Sequence, residues 1–391
     1  MNMLAWTFVI LCIIITISAI CTFSTFIYYF SADISFWLRA KRIRKIEGTL
    51  VNPCVDTDAF SAMLLSAAKQ MIDSGRKLEF PTITAPTFTE RARIFWKTHD
   101  SADIFNLEWA ECGWLFYAMA ESGYDLEYIK RVFDEKIINT PFRITDQCPG
   151  GMVSISLYLK THEQSYKDYA DSMYNWLAAQ DTEEFGILYR EHAKFQLVDV
   201  VGMVVPYLIY YGTTFNIPNA IRIAYKTIEK YIYYGCDYKT GMPVFEHSVN
   251  YPYIKSGATD WGRGLSWFII GCSYINIEEL DAESKNVMIR LNSCLLELWK
   301  INKSFGHFIG QGGRDLSAEL PIVYYLMKTK QISLDTEQII KYSAMCHDGA
   351  MFHSSSSNHG LVKYGLPFGY NSLSQAYMMR VINLRQLYNS K

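Results

Sequence analysis

The chain has 391 residues, half of them hydrophobic, with 28 Tyr, 22 Phe, 9 Trp and a formal net charge of −2. That length allows one large domain or two ordinary ones with a sizeable core, and the near-neutral balance gives no electrostatic case for nucleic acid. Nine cysteines without a CxxC pair argue against a disulfide framework or a zinc site, and for free thiols in a reducing compartment.

Residues 1–32 carry no charged side chain, and Leu4 to Phe30 is apolar and long enough to span a bilayer. A cleaved signal peptide has a basic n-region and a shorter apolar core. Here the cations follow instead, at Arg39, Lys41, Arg42, Arg44 and Lys45. By the positive-inside rule that cluster is cytoplasmic, which puts the N-terminus outside and the large domain inside. The expected organisation is a single-pass membrane anchor over 1–32, a basic juxtamembrane linker over 33–57 and one domain over 58–391.

The first helix of that domain falls near Asp58–Ser74, before a loop rich in Thr and Pro. From about Ser101 the pattern repeats: a nearly all-apolar helix, a turn, then a helix with one polar face. The copies cover 115–137, 154–180, 205–232, 266–299 and 320–345. A final helix at 372–388 pairs with the one near residue 60. A helix apolar on every side belongs inside and an amphipathic one outside. The unit length drifts, so this is no strict repeat array. Complete burial of the first helices favours closure into a ring over an open solenoid. The expected fold is all-α, an α/α barrel.

Parallel inner helices place their N-termini at one mouth. The segments entering them are ITDQCPGG (144–151), FQLVD (195–199), TDWGRGLSW (259–267) and GQGGRDLSAE (310–319). Asp146, Asp199, Trp261, Arg263, Trp267, Arg314 and Asp315 therefore converge on one rim. Helix N–H groups and dipoles favour anions there, and Arg grips carboxylates bidentately. Aromatic rings stack on sugars, and paired carboxylates share acid–base work. The plain structural roles stay open: Asp146 and Asp199 as helix starters, both Trp as core, and Arg263 paired with Asp260 or Asp315. The eight histidines show no HExxH spacing, so no metal or cofactor is expected. His247, in the MPVFEHSVN loop, is the first candidate among them, and His192 the second.

The order of these segments resembles the unsaturated glucuronyl and rhamnogalacturonyl hydrolases of glycoside hydrolase families 88 and 105, over roughly Asn106 to Leu387. DQCPGGMVSISLYLKT is similar to the family segment whose Asp opens a Pro-Gly helix. LVDVVGMVVPYL is similar to the one carrying the catalytic Asp, and DWGRGLSW keeps the Trp-x-Arg-Gly-x-x-Trp spacing. Two departures stand out: Gly202 replaces a bulky residue before the Met, and Leu265-Ser266 replaces Asn-Gly. The resemblance implies a six-hairpin (α/α)6 barrel that protonates the C4=C5 bond of an unsaturated uronic acid, so that water adds at C5. It also implies Asp199 as proton donor and Asp146 as its partner. By the resemblance Trp261, Arg263, Trp267 and His247 bind the oligosaccharide; the residue reading adds His192 and Arg314, and the anchor points to surface-polysaccharide metabolism. A catalytically silent barrel is one alternative. A polysaccharide lyase with Tyr189 or His247 as base is another. The sequence leaves the oligomeric state open.

Overall fold

A computed structural model describes residues 6–25, 54, 56–75, 105–190, 193–251, 253–257, 259, 261–309, 311–347, 349–351, 354–355 and 368–389. The chain divides into two compact units, 1–49 with 79–102, and 50–78 with 103–391. The basic cluster at 39–45 and His192 lie outside the described residues. In the first unit, helix α1 (Trp6–Thr25) is long and apolar enough to cross a membrane, and each of its residues is exposed.

The second unit is built from helices α2 (Thr57–Ser74), α3 (Ala110–Glu121), α4 (Leu126–Lys136), α5 (Cys148–Thr161), α6 (Gln164–Ala178) and α7 (Asp199–Phe215). It continues with α8 (Pro218–Gly235), α9 (Gly262–Cys272), α10 (Ala282–Asn302), α11 (Leu316–Lys328), α12 (Thr336–Ser343) and α13 (Ser372–Asn389). The odd-numbered members from α3 to α13 each pack on the next, and α13 packs back on α3. That closes a ring of six. The even-numbered members lie outside it, α2 against α13 and each later one against an inner neighbour. The expected (α/α)6 barrel is the fold.

Composition explains which helix is which. In α9 (GRGLSWFIIGC) every residue is buried, as is every residue of α11 up to Met327. An outer helix such as α4 (LEYIKRVFDEK) buries only Tyr128, Ile129, Val132 and Phe133, a single stripe. Four outer helices, α2, α4, α10 and α12, start on side-chain caps at Asp56, Asp125, Asp281 and Asp335. The inner helices α3, α5, α7 and α9 begin without a side-chain cap, as do the outer α6 and α8.

The sequence pattern missed the short strands that edge this mouth. β1 (Phe195–Leu197) pairs antiparallel with β2 (Glu246–Ser248), and β2 pairs with β3 (Lys255–Ser256). β4 (Gly306–Phe308) pairs with β5 (Gln311–Arg314). Segments of two to four residues are too short to show an alternating pattern. They form because adjacent entrance loops satisfy one another's backbone groups.

The opposite end of the barrel is closed by Arg380 of α13, 1% exposed. It donates to both Glu121 oxygens (2.7 and 3.0 Å) and to the hydroxyls of Tyr274, Tyr324 and Tyr377. Its guanidinium lies 4.3 Å from the centre of the Tyr324 ring. A buried charge with a partner at every nitrogen is tolerable where a lone one is not.

The Gly202 departure has a packing cause. A Cβ there would sit 2.4 Å from the Trp267 carbonyl oxygen and 2.9 Å from its ring, and one on Gly271 would sit 2.5 Å from the Val201 carbonyl. The two glycines let α7 and α9 touch, and the Trp267 ring fills the place of the missing bulky side chain. Gly202→Ala is expected to destabilise the protein by about 1–3 kcal/mol. Chemical denaturation of the purified variant checks this, and an unchanged midpoint would contradict the seam.

Candidate active site

Each mouth residue is set by the entrance of an inner helix. A 3₁₀ turn, Thr145–Gln147, leads into α5 and carries Asp146. The Tyr189 hydroxyl donates to that carboxylate at 3.0 and 3.3 Å. Tyr189 is held in turn. Buried Gln196 of β1 accepts from the Tyr189 N–H (2.9 Å) and donates to the Ile187 carbonyl (2.7 Å). Thr145 donates to the Tyr189 carbonyl (3.2 Å).

β1 runs directly into α7, which makes Asp199 its first residue. Val198 occupies the N-cap position, so Asp199 is not a cap. Its Oδ2 is buried without a hydrogen-bond partner. Burial above all, then the charge of Asp146, with a smaller push from Glu111, raises it to about 7, against its own backbone N–H and Arg263. Burial likewise lifts Asp146 to about 6, in spite of the Tyr189 bond and nearby Arg190. Asp146 ionises first, with Glu111 adding a small upward push, and its charge then holds the proton on Asp199.

Arg263 of α9 is 1% exposed. It donates to Ser317 of α11 (3.0 Å) and pairs with Glu111 of α3 (3.3 Å). Glu111 also accepts from Asn371, just before α13 (3.0 Å). Asp315 caps α11 through Ser317 and contacts His307 Nδ1 at 3.0 Å. Burial would push the Asp315 carboxyl up, but His307, Arg263 and Ser317 together hold it below the usual range. Four inner helices thus meet in one buried polar network around Arg263.

The remaining candidates divide. Trp261 is buried edge-on to Phe245, with ring centres 5.1 Å apart, at the N-cap of α9. Trp267, also buried, lies against Gly202 within the wall. His247 of β2 pairs in register with Gln196 and is ringed by Phe185, Tyr231 and Tyr234. Burial lowers it to about 4, so it is neutral. Arg314 donates through Nε and Nη2 to buried Glu319, whose Oε1 also accepts from Tyr342 (2.6 Å). That pair is internal to the wall. Among the described residues no group of three or more His, Cys, Asp or Glu is set to hold a metal ion.

Sequence reasoning passed over Glu111 and Arg190. Glu111 carries the signal used for Asp199, a carboxylate in the first turn of an apolar helix. Arg190 has no such mark, because its place depends on the loop that carries Tyr189.

The profile of Glycosyl Hydrolase Family 88 matches residues 112–308, half of the chain. The chain belongs to that family. It is a glycoside hydrolase with a carbohydrate substrate. Among solved structures it is similar to a possible member of family 105 from Salmonella enterica, at 15% identity and a TM-score of 0.63, over 86% of this chain and 95% of that one. A possible family 105 member from Klebsiella pneumoniae matches at 14% identity and a TM-score of 0.63, over 85% and 94%. An unsaturated glucuronyl hydrolase specific for heparin matches at 16% identity and a TM-score of 0.54, over 71% and 85%. At such identities these likenesses concern the fold. No curated protein matches the chain.

The raised carboxyls have a cost that can be measured. A group whose folded pKa exceeds its unfolded value binds more protons when folded, so stability falls as pH rises between the two values. For Asp199 that window runs from the ordinary value of 3.8 to about 7. Asp199→Asn removes the penalty, and is expected to raise stability at pH 8 by on the order of 2 kcal/mol, with little gain below pH 4. Thermal melts across this range test it. An equal effect at both ends would contradict the raised pKa.

Proposed function

We propose that this glycoside hydrolase acts on unsaturated uronyl oligosaccharides, with Asp199 as the proton donor. The single observation that carries the reading is the buried carboxyl pair. Asp199 is raised to about 7 by burial and by Asp146, and its Oδ2 has no partner. It can hold a proton near neutral pH, and it has an oxygen free to deliver it. A general acid works best with a pKa near the working pH.

In this reading Asp199 gives its proton to C4 of the C4=C5 enol ether, and the ring oxygen stabilises the positive charge at C5. Water adds at C5 and surrenders a proton to the Asp199 carboxylate, which restores the acid. The C5 hemiketal opens to a ketone, and the hemiacetal left at C1 releases the neighbouring sugar. One water is consumed and no electrons change hands. Asp146, held by Tyr189, orients the sugar or the water. Trp261 offers its ring to the substrate, and neutral His247 backs the entrance of α7. A lyase base has less support. Tyr189 is pushed above its ordinary pKa by burial and by both aspartates, and His247 is enclosed by aromatic rings.

The same proposal makes α1 a membrane anchor with the enzyme on the cytoplasmic side, where precursors of surface polysaccharide are handled. In support, the 20 residues of α1 reach ~30 Å at 1.5 Å per residue, enough for a hydrocarbon core. The cations of residues 39–45 fit the positive-inside rule. Retention in the membrane after alkaline extraction, with the large domain digested only in inside-out vesicles, is the expected result. Release into the soluble fraction would contradict it.

The catalytic test offers the purified chain a panel of lyase-generated unsaturated disaccharides and follows loss of the enol ultraviolet absorbance. Wild type is expected to bleach at least one, and Asp199→Asn to slow this by about 100-fold or more. The rate should fall as pH rises past about 7, where the acid loses its proton. Bleaching that survives in Asp199→Asn would remove Asp199 from the role. No bleaching of any member would count against the substrate class.

A further inference from the structure

This inference rests on the uronyl reading and concerns how the mouth recognises the substrate's carboxylate. Among the described residues, two cations face the carboxyl pair, Arg263 and Arg190. Arg263 is the obvious receptor from sequence, because it stands in the Trp-x-Arg-Gly motif. Its surroundings argue otherwise. It is 1% exposed and bound to Ser317, and its charge is met by Glu111, itself 16% exposed. A second bond to Asn371 fixes Glu111 in turn. A substrate anion would have to displace a buried ion pair, which leaves Glu111 uncompensated.

Arg190 has the opposite character. It is exposed, and its guanidinium lies 5.3 Å from the centre of the Tyr189 ring. The hydroxyl of that ring donates to Asp146. The cation therefore stands at the lip, over a ring that touches Asp146. The backbone beneath it is anchored, since Gln196 grips residues 187 and 189. Stacking on Tyr189 leaves the edge of the planar fork open to a carboxylate. A negatively charged sugar approaching Asp146 and Asp199 needs such a cation at the point of entry.

We propose that Arg190, and not Arg263, receives the uronate carboxylate, while Glu111 neutralises Arg263 so that it serves the wall. The groups facing the carboxyl pair agree with this division. Asp146 and Tyr189 come from the α5 entrance and the loop after α6, Glu111 from α3, Arg263 from α9 and Tyr231 from α8. Arg190 is the cation among them that is open to solvent.

The test uses the full chain with an unsaturated disaccharide as the free acid and as its methyl ester. Arg190→Gln is expected to lose about 10- to 100-fold in kcat/KM on the acid, mostly through KM. Its loss on the ester should be several-fold smaller. Arg190→Lys should recover part of the loss, since it keeps the charge without the fork. Arg263→Lys is expected to penalise acid and ester alike. Equal losses on both substrates for Arg190→Gln, or no loss, would overturn the proposal. If wild type cleaves neither compound, the uronyl reading fails separately. The receptor is then scored by NMR titration with a saturated uronic acid and its methyl ester. Acid preference in wild type that vanishes in Arg190→Gln supports it. No preference in wild type, or preference retained in the variant, overturns it.

Discussion

Two carboxyl groups, Asp146 and Asp199, are held out of water beside one another at the mouth of the barrel, and much of the fold serves that arrangement. A helix N-terminus stabilises the charged form of a carboxyl, so placement at the start of α7 alone would keep Asp199 ionised. Burial and the neighbouring charge outweigh it, and Asp199 rises to about 7. Only a closed ring supplies both effects together. It brings residues 53 positions apart in the chain to one rim, and it walls them with helices that have no polar face.

The supporting parts can be traced outward from the pair. Gln196 and Thr145 hold the loop of Tyr189, and Tyr189 holds Asp146. The pairing of β1 with β2 sets the entrance from which α7 presents Asp199. Arg263, Glu111, Ser317 and Asn371 tie α9, α3, α11 and the start of α13 into one polar collar. At the far end Arg380 and its tyrosines close the barrel. Each network is buried and densely bonded, the condition under which buried charge is tolerated.

Much of this was legible in the sequence, for reasons particular residues make plain. The contrast between α9, apolar throughout, and α4, with its single stripe, announces inner and outer helices. Ring closure follows from having six such inner helices. Asp146, Asp199 and Arg263 could be located because each stands where an apolar helix begins. Three things were hidden. Strands of two to four residues leave no periodic trace. The Gly202 departure makes sense only when Trp267 is seen in the vacated space. Two charge partners left no trace either: Glu319, five residues after Arg314, holds it, and Glu111, 152 positions before Arg263, meets its charge. Such partners are properties of the ring, and no local pattern carries them.

The central claim is that the mouth carboxyls keep protons near neutrality and do so jointly. The most direct measurement is carbon-13 NMR titration of the aspartate carboxyls in wild type, Asp146→Asn and Asp199→Asn. The account predicts two ionisations, near 6 and 7, with Asp199 titrating lower once Asp146 is neutralised and Asp146 staying near 6 in Asp199→Asn. Both carboxyls completing their titration below about 4.5, in the ordinary range for an exposed Asp, would contradict it.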